Sequence, residues 1–203
     1  MKLLFNERIS PDILRILKKS QINHSREILN YNDLKDVHKY CVVNELSGQI
    51  TGPLIESYII SKNFMCKNDA SKCIGDATFK SKNIEIKVST GGTANRGKFN
   101  YVQIRPLHNI DYYIFTAYYL DYSNVLEEGE LFVFLIEKSK MIILLEKYGT
   151  YAHGTVNKLG KITKQSIQDN HNAEYALRPR YGDKLWSNLL EYRCTNSALP
   201  IEF

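Results

Sequence analysis

Gly75-Asp-Ala-Thr-Phe-Lys-Ser-Lys-Asn-Ile-Glu-Ile-Lys-Val-Ser89 contains two short runs of alternating apolar and polar residues joined by a polar turn. Successive side chains of a β-strand point to opposite faces, so Ile84, Ile86 and Val88 share one face and Glu85, Lys87 and Ser89 the other. The upstream run puts Ala77 and Phe79 on its apolar side and Asp76 on its polar side. Pairing through a Ser81-Lys82-Asn83 turn makes a hairpin whose cross-strand or diagonal neighbours stand about 5–8 Å apart. Asp76, Glu85 and Lys87 then meet on one face. Two carboxylates and an amine can hold a hard divalent cation between oxygen ligands beside a positive charge, which suits metal-assisted attack of water on a phosphodiester.

The order Asp76, Glu85, any residue, Lys87 resembles the signature of the PD-(D/E)XK nuclease superfamily, to which most type II restriction endonucleases belong. Gly75 stands where the namesake proline often sits. The resemblance implies that Asp76, Glu85 and the backbone carbonyl of Ile86 ligate Mg²⁺. It also implies that Lys87 orients and helps deprotonate the attacking water, or stabilises charge on the phosphate. A Glu-x-Lys triplet alone is weak, because a solvated pair on an edge strand reads the same way.

Further residues strengthen the pattern. In Ser47 to Lys62 a helix at about 100° per residue sets Glu56 inside the apolar arc of Leu54, Ile55, Tyr58, Ile59 and Ile60. A carboxylate buried without a partner costs several kcal/mol, so a metal-bound site or Lys87 is expected to meet it. Many restriction endonucleases carry such a helical Glu before the hairpin, and the resemblance makes Glu56 a supporting metal ligand. Three strand-length β-branched and aromatic runs follow, Phe99 to Arg105, Asp111 to Leu120 and Leu131 to Ile136. They are expected to extend the hairpin into one sheet. Gln103, on the first of them, matches a Gln often found near the site in the superfamily, and reads equally well as an ordinary cross-strand residue.

The fold expected is α/β: a central mixed sheet of about four to five strands, with N-terminal helices on one face and later helices on the other, as in restriction endonucleases. The 203 residues suffice for one domain, with a helical layer over 1–62, a catalytic sheet over 74–136 and a C-terminal part over 137–203. A composition 43% hydrophobic and 24% charged excludes wholesale disorder. Ser10-Pro11-Asp12 opens a first helix by capping logic, and a second is expected from Asn32 to Val43 with Leu34, Val37 and Cys41 inward. Lys138 to Tyr148 reads as a helix or, because its apolar run is continuous, a strand; a last helix spans Gly182 to Tyr192.

Charge is uneven. Residues 62–105 carry nine Lys or Arg against Asp69, Asp76 and Glu85, whereas residues 111–137 carry six acids and no base. One basic surface around the proposed site fits a polyanion. Asn95, Arg96 and Lys98 lie in a Gly-rich loop after the Lys87 strand, followed by Asn100 and Arg105. As DNA contacts they would reach phosphates or base edges, and a plain surface loop would look much the same. Arg178, Arg180, Tyr181 and Lys184 form a second basic group with an aromatic. The loop lacks a Walker pattern, which argues against nucleotide use.

No apolar run reaches 18 residues and no signal-like stretch opens the chain, so membrane insertion and export are not expected. Cys41, Cys66, Cys73 and Cys194 are scattered and read as reduced thiols of the cytoplasm. Taken together, these readings lead to Mg²⁺-dependent hydrolysis of double-stranded DNA, most simply by a homodimeric type II restriction endonuclease, and the resemblance implies 5′-phosphate ends. A repair or junction-resolving nuclease of the same fold, or a non-catalytic DNA-binding protein, are the alternatives.

Overall fold

The computed structural model describes residues 23–69, 71–92, 97–120, 129–152, 155 and 159–194. The helix expected from Ser10, the loop residues Asn95 and Arg96, and the acidic stretch 121–128 lie outside them. The described residues open with helical turns over 23–28, followed by the helices α1 (Leu34–Val43) and α2 (Gly48–Lys62). Asp33 caps α1 by accepting the Lys35 N–H at 2.8 Å, which satisfies one of the donors a helix start leaves open. The α1 face turned inward is Leu34, Val37 and Cys41, as expected, together with His38.

β1 (Cys66–Lys67), β2 (Ala77–Phe79) and β3 (Lys82–Gly92) follow, so the sheet begins before Ile74. β2 runs antiparallel to β3, with Ala77 opposite Ile84 and Phe79 opposite Lys82. The connection is therefore the two residues Lys80 and Ser81, at φ 46° and 63°, and not the expected Ser81-Lys82-Asn83. Positive φ at both positions is the twist-matched hairpin turn, normally built from Asn and Gly. Lys82 and Asn83 consequently belong to β3.

Beyond these come β4 (Tyr101–Ile104), β5 (Tyr112–Leu120), β6 (Glu130–Glu137), α3 (Lys138–Tyr148), β7 (Thr150–Tyr151), α4 (Lys164–Asp169), β8 (Tyr175–Leu177) and α5 (Lys184–Leu190). The main sheet has five strands in the order β1-β2-β3-β5-β6, with β3 and β5 parallel and the other pairs antiparallel. The run from Phe99 to Arg105 does not extend it. Parallel neighbours need the chain to cross back over one face of the sheet, and β4 lies in that return, paired with β8 in a second sheet ordered β4-β8-β7.

β5 is buried on both faces, which explains its nearly unbroken apolar composition. Ile114, Tyr118 and Leu120 join Ile84, Ile86 and Ala77 in a core beneath α1 and α2. Tyr113, Phe115 and Ala117 join Tyr101, Phe134, Met141, Tyr175 and Trp186 in a second core under α3, α5 and the small sheet. Trp186 anchors that side, stacked on Phe99 at 4.9 Å and edge-on to Phe132 at 4.8 Å. The mixed α/β architecture with helices on both faces is the one the sequence implies. The second sheet is additional.

His38 is fully buried, stacked on Tyr118 at 5.4 Å, with Nε2 3.2 Å from Thr116 Oγ1. Burial pushes its imidazole down to about 3. The unfolded chain then binds a proton below about pH 6.5 that the folded chain refuses, so His38 makes stability fall as pH drops from there toward 3. His38→Gln is expected to flatten the pH dependence of the unfolding free energy from urea titrations between pH 6.5 and 4 by up to about 1.4 kcal/mol per pH unit. An identical slope in both proteins would show that His38 takes up its proton freely in the fold.

Candidate active site

Asp76 precedes β2 and is clamped to β3 twice. Its N–H donates to the Ile84 carbonyl at 2.8 Å, and its Oδ2 accepts the Ile86 N–H at 2.7 Å. Its carboxylate is thereby laid alongside Glu85. In a strand, one residue turns its N–H and C=O to the same edge, so the Ile86 carbonyl opens on the edge that Asp76 occupies. Gly75 makes the approach feasible. It has φ +77°, and a Cβ there would lie 2.5 Å from the Ile84 oxygen.

Glu85 and Lys87 project from the β3 face opposite Ile84 and Ile86, and Lys87 Nζ donates to Glu85 Oε1 at 2.5 Å. Both are largely buried, at 14% and 18% side-chain exposure. Glu56 arrives from α2 and pairs with Lys67 of β1 at 3.3 Å. The partner expected for Glu56 was a metal site or Lys87, and Lys67 was not foreseen. Even so, the acids form one electrostatic unit. Burial, then the neighbouring Glu85, holds the Asp76 carboxyl above the usual carboxylate range, against the opposing pull of the Ile86 N–H, Lys87 and Lys67. Burial, then Asp76, does the same to Glu56, against Lys67 and Lys87.

Two residues absent from the sequence reading also belong to this neighbourhood. His108 feels Lys87 as well as Arg105 and Lys138, and burial followed by these cations lowers its basicity. Lys138 Nζ donates to the His108 carbonyl at 2.8 Å and so ties this loop to the start of α3. Tyr113, level with Glu85 in the parallel register, has a buried hydroxyl without a hydrogen-bond partner among the described residues. Burial and Glu85 both raise its pKa. A loop His and a Tyr within a strand read as apolar core carry no distinctive signal in sequence.

The remaining candidates are dispersed. Gln103 is exposed on β4 at φ 56°, where the β4–β8 register shifts, and it makes no bond to the carboxylate cluster. Arg105 is ion-paired with Glu174. Tyr181 stacks on Tyr119 at 4.8 Å and donates to Glu130 at 3.4 Å. Lys184 opens α5 and is exposed. Lys98, Asn100, Arg178 and Arg180 come together in one groove, as described below.

Does this cluster suit Mg²⁺? Every donor is an oxygen, and two of the three carboxylates are held above their ordinary range partly by their neighbours' negative charge. A hard divalent cation relieves that repulsion. Among the described residues no three His, Cys, Asp or Glu side chains form a ready-made ligand set. In this arrangement Lys87 is paired with Glu85 and Lys67 with Glu56. The chemistry fits, provided the Lys87 ammonium swings off Glu85. No family model matches the chain, and no curated protein matches it significantly.

Two outcomes are expected from variants here. Asp76→Asn, which retains an acceptor for the Ile86 N–H, should raise the melting temperature in EDTA at neutral pH by about 2–4 °C, the shift that about 1 kcal/mol gives a chain of this size. Because the raised Asp76 pKa opposes folding only while the carboxylate is charged, that gain should fade as pH falls through its folded-state value. Added Mg²⁺ should stabilise the unmodified protein and not the variant; an equal Mg²⁺ response in both would remove Asp76 from the ligand set. Gly75→Pro needs φ near −65° in place of the +77° found there. It should cost about 2–4 kcal/mol in urea unfolding, and an unchanged midpoint would contradict the left-handed conformation.

Proposed function

We propose that the protein is a Mg²⁺-dependent endonuclease that hydrolyses double-stranded DNA, working as a homodimer in the manner of a type II restriction enzyme. The observation supporting this reading is the convergence at one edge of β3 of the Asp76 carboxylate, Glu85 and the Ile86 backbone, with Lys87 on the same face as Glu85.

Asp76, Glu85 and the Ile86 carbonyl would hold the ion, with Glu56 adding negative charge from α2. Bound Mg²⁺ supplies Lewis-acid polarisation of the phosphate and a nucleophilic water at neutral pH. Lys87, once off Glu85, directs its ammonium at the scissile phosphate and stabilises the negative charge that grows on the phosphoryl oxygens. Its low exposure matters, because a charge–charge interaction strengthens as water is excluded. Lys138, whose charge acts on His108 together with that of Lys87, adds positive potential on this side, which draws a polyanion toward this face. In-line attack of the water that breaks the P–O3′ bond would leave a 5′-phosphate and a 3′-hydroxyl. A small enzyme with one site cuts both strands most simply as a symmetric dimer on a palindromic target.

Supercoiled plasmid incubated with the protein and Mg²⁺ should yield discrete fragments whose ends define one sequence. Lys87→Ala should slow cutting by about 10²–10⁴-fold, the range for a positioned proton-transfer or charge-stabilising group, while keeping the Mg²⁺-induced thermal shift. Undiminished cutting by that variant would exclude the mechanism.

A further inference from the structure

We infer that Lys98, Arg178 and Arg180 form a second anion site, a groove that grips the phosphodiester backbone flanking the bond at the carboxylate cluster. The identity of the substrate rests on the nuclease reading above. The groove itself stands on separate observations.

A cavity of about 630 Å³ is lined by Lys98, Phe99, Asn100, Arg178, Arg180 and Asp183. The two basic groups it contains are far apart in sequence. They are joined by an antiparallel bridge between Lys98 and Arg180 and by the Phe99 N–H donating to the Pro179 carbonyl at 2.9 Å. The floor is rigid, because Phe99 is buried and stacked on Trp186, and a Cβ at Gly91 would meet its ring at 2.7 Å.

Three cations face one acid, and that acid is committed to backbone. Asp183 Oδ2 accepts the Arg180 N–H at 2.8 Å and Oδ1 accepts the Trp186 N–H at 2.7 Å. Lys98 and Arg180 have no acidic partner among the described residues. Arg178 is aimed by neutral acceptors, with Nε donating to Asn100 Oδ1 at 3.1 Å and Nη1 to Thr150 Oγ1. Those bonds orient the guanidinium and leave its charge uncompensated, in contrast to Arg105, which Glu174 neutralises. A planar, oriented, unpaired guanidinium is suited to bidentate contact with a phosphate.

The groove is also tied to the catalytic strand. Ser89 lies on the β3 face that carries Glu85 and Lys87, and its Oγ accepts the Asn100 N–H at 2.9 Å. Alternate residues of a strand are about 6.6 Å apart, so a line of groups runs from Lys87 through Ser89 and Asn100 to Arg178. A backbone whose scissile phosphate meets Lys87 therefore continues toward the groove. Binding there would place the reacting bond by contacts remote from it.

The test is fluorescence anisotropy of a labelled duplex of about 25 base pairs, in EDTA, as a function of salt, with about 0.9 in the slope of log K against log[salt] assigned to each phosphate contact. Lys98→Gln with Arg180→Gln changes two exposed side chains that have no ion pair among the described residues, so the variant is expected to fold. The slope should fall by about 2. Arg178→Gln alone should lower it by about 1. On plasmid with Mg²⁺, the double variant should need more DNA to reach half-maximal cutting and should also lose maximal rate, because the groove no longer helps to place the reacting bond. If the natural sequence cuts no plasmid yet the slope still falls in the variants, the nuclease reading fails and the groove stands. An unchanged slope overturns the groove whatever the cleavage result.

Discussion

The two hydrogen bonds that pin Asp76 to β3 are the constraint on which the rest of the site depends. Without the Asp76 N–H on Ile84 and the Ile86 N–H on Asp76 Oδ2, the carboxylate would drift into solvent from a residue that precedes its strand. With them, it lies beside Glu85 at an edge where β2 has not yet begun to pair with β3. Gly75 is part of the same device, since only a residue without a side chain can pass that close to the Ile84 carbonyl.

Holding three carboxylates in one half-buried cluster opposes folding, and the fold must offset it. Each buried Leu, Ile or Phe contributes about 1.5–3 kcal/mol. The layer of Leu34, Val37, Leu54, Ile55 and Ile59 against Ile84, Ile86 and Ile114 therefore far outweighs a repulsion that Lys67 and Lys87 already reduce. The apolar face of β3 thus holds in place what its polar face would push apart. A cation entering the cluster would take over the role of the ammoniums and release Lys87 toward substrate.

Much of this was legible from sequence because it is local. Alternation from Ile84 to Ser89 sorted β3 into its two faces, and an acid inside the α2 apolar arc marked Glu56 as needing a partner. The turn was displaced by one residue because Lys80 and Ser81 adopt positive φ without the Gly or Asn that ordinarily signals it. The destination of β4 was hidden, since a strand-length run does not reveal which sheet it joins. Lys67 stayed invisible because a two-residue strand has no period, and His38 because a polar residue on an apolar helix face is not read as core. The merging of Lys98 with Arg180 depends on a contact across 82 positions that no local pattern encodes.

The central claim is that the oxygens at this β3 edge bind a divalent cation. Titration of the protein with Mn²⁺, followed by the electron paramagnetic resonance of the free ion, tests it without reliance on catalysis. Saturable binding that Asp76→Asn and Glu85→Gln each abolish is the result expected. Absence of saturable binding, or binding indifferent to both substitutions, would contradict it.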